Sequence, residues 1–370
     1  MDFDEDQLDE SAERAYRPPR WASSTLQHMN IVRHVVFSPR GDLLCSTADD
    51  GSVSLWKSLT GDLIYTVQRH DGMTRFATFH EPSGELIASC GGDAVIQVWS
   101  EAIVSCPVSL EGHTQTVYRC VFGPYTDQLV SCSSDHTVRI WSVTTGKEIS
   151  VLEGHSKPVV SCAVSPNGRT VCSASWDKTV RLWDIRSKKC VHNLTGHDSW
   201  VTSCAFSPDG EMIASSSTDC TVRLWNTTNG KILAIAQDHS SDVNACMFDG
   251  KGEMLASASS DHTVLLWDVL TGEVRYALKD HDDTVTCLAF SADGQRLVTG
   301  SEDQLVRFWD TNNGQLLEVL AGPRGNVLSC DITADGTFMA AASADHTARI
   351  WDVGKFCKEK YKWRKSCVLS

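Results

Sequence analysis

Over most of the chain, apolar residues alternate with polar ones in short runs. The segments Thr-Val-Arg-Leu-Trp-Asp-Ile (179–185) and Thr-Val-Leu-Leu-Trp-Asp-Val (263–269) are typical. A period near two predicts strands, because successive side chains point to opposite faces of a sheet. Turn clusters separate the runs: Ser-Pro-Asn-Gly at 165–168, Ser-Pro-Asp-Gly at 207–210 and Ser-Ala-Asp-Gly at 291–294. No stretch has the spacing of an amphipathic helix, so the pattern predicts an all-β chain of many short strands.

The runs repeat. Trp56, Trp99, Trp141, Trp183, Trp225, Trp267, Trp309 and Trp351 stand 43 residues apart at the first step and 42 at the other six. A fixed period of this length marks stacked supersecondary units. Six residues before each tryptophan is an aspartate, from Asp50 to Asp345, and ten before it is a serine or threonine, except at Ala341. About 28 before it stands a histidine, from His28 to His281, with Pro323 in the last unit.

With these positions the chain resembles the WD-repeat family over residues 21–352. The resemblance implies four-stranded blades closed into a β-propeller, each blade held by an Asp-His-Ser/Thr-Trp tetrad. In this sequence the tetrads include His155, Ser173, Asp177 and Trp183, then His197, Ser215, Asp219 and Trp225. A buried carboxylate needs donors, and imidazole, hydroxyl and indole can form one satisfied chain. Seven identical His/Asp/Ser sets without a nucleophile turn read as scaffold rather than as catalytic triads. Eight even units predict eight blades, the alternative being seven blades and one displaced repeat. The last unit lacks two tetrad members and an outer strand. Residues 21–27, Trp-Ala-Ser-Ser-Thr-Leu-Gln, precede His28 as 108–112 precede His113, so they are expected to supply that strand and close the ring.

Composition narrows the function. Net charge is −14: residues 1–20 carry −4 and read as a disordered acidic arm, residues 353–370 carry +5, and the body carries −15. An acidic body is a poor nucleic-acid partner. Of the 15 cysteines, Cys120, Cys162, Cys204, Cys246 and Cys330 recur at one phase and read as small core residues; the spacing of the 15 shows no metal pairs. Neither a phosphate loop nor a dinucleotide fingerprint occurs. No cofactor, metal, small-molecule substrate or enzymatic activity is expected. The acidic start lacks the pattern of a secretory signal, which predicts a cytoplasmic protein.

Propellers of the resembled family mostly bind proteins at the channel mouth, and positions matching that mouth include unusual side chains here. They are Trp176, Trp200, Tyr118, Pro158, Arg33 and Arg75, the aromatic and arginine types that dominate binding hot spots. Trp183-Asp184-Ile185-Arg186 resembles the box of propellers that deliver substrates to cullin-type ubiquitin ligases, with Asp184 and Arg186 as the adaptor contacts.

The tail raises a second expectation. Cys367-Val368-Leu369-Ser370 resembles the Cys-aliphatic-aliphatic-X end of Ras-type small GTPases, which implies farnesylation of Cys367. Lys355, Lys358, Lys360, Lys362, Arg364 and Lys365 precede it and suit an anionic membrane surface. Cys357 is a second lipidation candidate, for palmitoyl. The sequence therefore predicts a propeller scaffold held at the cytosolic face of a membrane.

Overall fold

The computed structural model describes residues 23–354 apart from 82, 101, 102, 125 and 126. The expected acidic arm and every lipidation and membrane-contact residue from Lys355 onward lie outside the described residues.

The described residues form 32 strands in eight antiparallel four-stranded sheets. Blades 1 to 7 take consecutive strands over residues 32–68, 74–110, 117–152, 159–195, 201–236, 243–278 and 285–320. Blade 8 joins Val327–Ile332, Phe338–Ser343 and Thr347–Asp352 with Ser23–Gln27 from the other end of the chain. That last pairing runs from Ser23 opposite Trp351 to Gln27 opposite Thr347. The ring therefore closes as expected, with eight complete blades and no displaced repeat. Closure leaves no blade with a missing outer strand.

Burial follows position in the blade. The first strands are innermost and touch those of neighbouring blades. Second strands such as Met254–Ser259 are buried throughout, whereas outer strands such as Lys189–Thr195 face solvent on alternate residues. The core is a series of wedges between blades. In one wedge Cys172, Leu182 and Leu194 of blade 4 pack on Cys204, Ile213 and Trp225 of blade 5. The five in-phase cysteines are buried and free, as the sequence predicts.

One irregularity prepares the functional surface. In all eight blades the register slips at the second residue of the first strand, for example between Val117 and Arg119. Such a bulge leaves one residue outside the ladder and re-aims its side chain. The residues released are Arg33, Arg75, Tyr118, Val160, Thr202, Asn244, Thr286 and Leu328. Three of them tie blades together, since Thr202, Asn244 and Thr286 donate to the Val243, Val285 and Val327 carbonyls at 2.6, 2.9 and 2.6 Å.

Candidate interaction site at the channel mouth

The tetrads frame the mouth. In blade 4, Trp183 Nε1–H donates to Ser173 Oγ at 2.8 Å, and Ser173 Oγ lies 2.8 Å from His155 Nε2. His155 Nδ1 lies 2.8 Å from Asp177. With Nδ1 protonated, every group in the chain has a partner. Burial opposes the Asp177 charge, yet bonds from His155 and Thr179 outweigh it and hold the acid well below the usual carboxylate range. Burial lowers His155, with Asp177 pulling the other way. Ser173 has no exposed surface, so no substrate reaches its hydroxyl. The set is a lock, not a triad. The set built on His197, Ser215, Asp219 and Trp225 repeats it.

Two early blades depart from the pattern. In blade 2, Trp99 Nε1 donates to Tyr65 Oη at 3.3 Å. In blade 1, His28 meets Ser46 at 3.0 Å, while Asp50 bonds the Ser52 amide. The Asp50 turn is drawn toward blade 2 instead, because the Gly51 carbonyl accepts the Arg69 and His70 amides.

An eightfold backbone bond defines the rim. The residue before each tetrad aspartate donates its N–H to the residue before each first strand: Trp176 to Pro158 at 3.1 Å, Thr218 to Trp200 at 2.9 Å, Ser260 to Asp242 at 2.8 Å, Glu302 to Thr284 at 2.9 Å. These pairs hold equivalent side chains around one end of the channel, and what they hold differs around the ring.

Blades 2 to 5 carry a continuous ladder. The Arg75 guanidinium lies 4.9 Å from the Tyr118 ring centre. Tyr118 meets Trp176 at 6.2 Å, and Trp176 stacks on Trp200 at 4.9 Å and 21°. Trp176 and Tyr118 are half-buried, whereas Trp200 is 51% exposed. The structure thus joins four of the six residues named from sequence. Pro158 serves the ladder through its carbonyl. Arg33 does not join it: both of its bonds, each 2.6 Å, go to Asp49 of its own blade. That corrects its assignment as an anchor, because the guanidinium fork is already filled.

Sequence reasoning missed the layer beneath. The His34 ring packs on Phe76 at 4.1 Å, tilted by 38°, and the Arg119 guanidinium lies 5.1 Å from the Phe76 ring centre. The signal was available: at this phase blades 4 to 8 have Ser161, Ser203, Ala245, Cys287 and Ser329, and blades 1 to 3 have three large residues. Asp184 and Arg186 lie away from the mouth. The Asp184 carboxylate caps its own turn through the Ser187 amide at 2.6 Å, and Arg186 is exposed.

Among the described residues, no group of three or more His, Cys, Asp and Glu is placed to hold a metal. No helix among them is long and apolar enough to cross a membrane.

The closed ring and its locks define a β-propeller built from WD repeats. The WD domain, G-beta repeat model matches residues 22–57, 61–100, 104–142 and 146–184, and the WDR3 first beta-propeller domain model matches 178–353. Together they run across the ring, and the chain is an eight-bladed WD-repeat β-propeller. It is 31% identical over 97 residues to eukaryotic translation initiation factor 3 subunit I of Scheffersomyces stipitis, which is 26% of this chain and 27% of that protein. It is 30% identical over 115 residues to nuclear distribution protein nudF 2 of Aspergillus clavatus, covering 30% of this chain and 26% of that one. The matches thus span about a quarter of each relative's length. The crystal structure of the computationally designed Ika8 protein aligns with a TM-score of 0.79 and 27% identity, over 88% of this chain and 97% of the designed one.

Proposed function

We propose that the protein is a non-enzymatic interaction scaffold that binds partner proteins at the channel mouth through the Arg75–Tyr118–Trp176–Trp200 ladder. The stacked tryptophan pair carries this reading. A half-exposed Trp200 held rigidly on Trp176 presents a large apolar face at little entropic cost. Trp200→Ala is expected to weaken partner binding by about 2 kcal/mol, roughly thirtyfold, while leaving the melting temperature nearly unchanged. Proximity labelling with wild type and variant reads the first effect, and a thermal melt the second. Loss of stability without loss of partners would reduce Trp200 to rim packing. If a cullin-type ligase adaptor dominates the partners and disappears with Arg186→Ala, the substrate-receptor alternative holds instead.

The second part of the proposal is a tether. Farnesyl on Cys367 binds membranes only marginally by itself, and the six tail bases supply the second signal that stable anchoring needs. Gly354 donates to the Thr337 carbonyl, in the turn at the end of the ring opposite the aspartate turns. A tether starting there leaves the mouth facing the cytosol, and palmitoyl on Cys357 would strengthen it. Cys367→Ser is expected to shift the protein to the soluble fraction, and added salt to loosen the wild type. A wild type that stays soluble in cells that farnesylate Ras normally would refute the tether and leave the scaffold standing.

A further inference from the structure

Beneath the rim, blades 2 and 3 exchange partners. Blade 2 presents Arg75 then Phe76, and blade 3 presents Tyr118 then Arg119, so each arginine covers the other blade's aromatic ring. Neither guanidinium meets a carboxylate among the described residues. Arg119 Nη1 reaches only the Ser161 hydroxyl, at 3.4 Å. The Nε atoms of both arginines and Nδ1 of His34 are buried without a protein partner. Several other arginines of this acidic ring stand on acids, as Arg33 does on Asp49 and Arg307 on Asp303. Burial and the Arg119 charge push His34 down to about 3, so it is neutral at physiological pH and adds a polar edge without a third charge.

Two partly buried guanidinium groups set against aromatic rings lack an acid partner among the described residues, and an anion from outside would supply one. The approach is also graded. Exposed Lys157 and Lys178 flank Trp176, whereas Asp242, Asp283 and Glu302 stand on the rim of blades 6 and 7. An anion is therefore attracted over blades 2 to 4 and repelled opposite.

We infer that the channel beneath the rim binds an anionic group, a carboxylate or a phosphate ester, between Arg75 and Arg119. That group is carried by the same protein segment whose apolar side chain seats on Trp200, so the inference rests on the proposed binding at the mouth. The segment lies with its anionic end over blades 2 and 3 and its apolar anchor over blades 4 and 5. Guanidinium groups suit either oxyanion, since both accept two parallel N–H bonds.

A synthetic peptide array separates the possibilities. Each peptide carries a tryptophan or proline anchor and, at nearby positions, serine, glutamate, phosphoserine or lysine. The wild-type chain is expected to retain glutamate or phosphoserine peptides at least tenfold better than serine or lysine ones, and the stronger of the two names the anion. Arg119→Gln and Arg75→Gln should erase that preference while keeping weak retention through the anchor. Trp200→Ala should lower retention of all peptides alike. Equal retention of all four series, lost in Trp200→Ala, would overturn the anion site and keep the mouth. Anion-dependent retention untouched by Trp200→Ala would do the reverse. A preference for lysine, or no retained peptide, also overturns the anion site.

Discussion

Blade 4 and blade 8 share one plan and one register, with Ser173 opposite Arg181 in the first and Ala341 opposite Arg349 in the second. They differ in what locks them. Blade 4 has the full chain from Trp183 to Asp177. In blade 8 the Trp351 indole is fully buried and its Nε1 has no partner, because Ala341 offers no oxygen. Asp345 survives on other bonds, accepting the Arg324 amide at 2.7 Å and both the amide and hydroxyl of Thr347. A blade thus forms from alternation and an aspartate turn, and the tetrad stabilises it without specifying it. Blade 8 is also the blade whose outer strand is contributed by the opposite end of the chain.

That difference predicts where the ring is most easily opened. Leu26 and Leu194 hold equivalent outer-strand positions, at 1% and 2% exposure, opposite Ala348 and Val180. Leu26→Ala should cost roughly 2–5 kcal/mol, as buried leucine truncations do. It should exceed Leu194→Ala, because Ser23–Gln27 joins the rest of its blade only by pairing, whereas Lys189–Thr195 is also held by its turn. Denaturant unfolding of both variants measures the gap. Equal costs would mean that the closing strand is no weaker than the others.

The seam between blades 8 and 1 holds an acid of the opposite kind to Asp177. Asp331 accepts the Phe37 amide at 2.7 Å, and burial pushes its carboxyl up to about 6. Below the ordinary value of 3.8 both folded and unfolded states hold the proton. Between 3.8 and 6 only the folded state does, so this group's stabilisation is lost as pH rises. The full loss is about 3 kcal/mol at most by linkage. Asp331→Asn keeps an acceptor for Phe37 and should melt higher than wild type at pH 7.5, with the gain shrinking toward pH 4. A gain independent of pH would exclude ionisation as its cause. The tetrad acids run the other way: Asp261, held down to about 2, stabilises above its ordinary value and loses that contribution on acidification.

The contrast also shows what could be read before the fold. Local repetition was legible: eight tryptophans gave eight blades, in-phase cysteines gave buried thiols, and residues before His28 gave the closing strand. Contacts between blades were not. Trp176 and Trp200 stack although 24 residues separate them, and only the ring brings the 158–176 and 200–218 pairs side by side. The Asp50 turn drawn to blade 2 and the Arg75/Arg119 exchange likewise depend on packing between neighbours. Asp331 looks like any strand acid until the seam encloses it.

The tetrads themselves give the next effect. Asp177→Ala removes the acceptor of His155 and of Thr179, and should destabilise by roughly 1–3 kcal/mol. Asp345→Ala leaves no buried imidazole unpaired, since Pro323 stands there, and should cost less. Thermal melts of the pair that coincide would show that the turn, not the histidine chain, carries the energy.

The smallest effect is a repair. Ala341→Ser would put a hydroxyl where Ser173 accepts the Trp183 indole at 2.8 Å, within reach of the orphaned Trp351 N–H. The opposing terms are nearly balanced. A satisfied buried N–H gains about 1 kcal/mol, while the new hydroxyl must itself be desolvated and lacks the histidine that blade 4 provides. That hydroxyl can donate to a carbonyl of its own strand pair, so the net should be stabilising by about 0.5–1 kcal/mol, a rise of roughly one or two degrees in a ring of this size. The same change with Pro323→His should add the rest of the lock, and the two together should exceed the sum of the singles because one hydroxyl serves both partners. Strict additivity would show that the indole and the imidazole are stabilised independently, which the shared oxygen in blade 4 argues against.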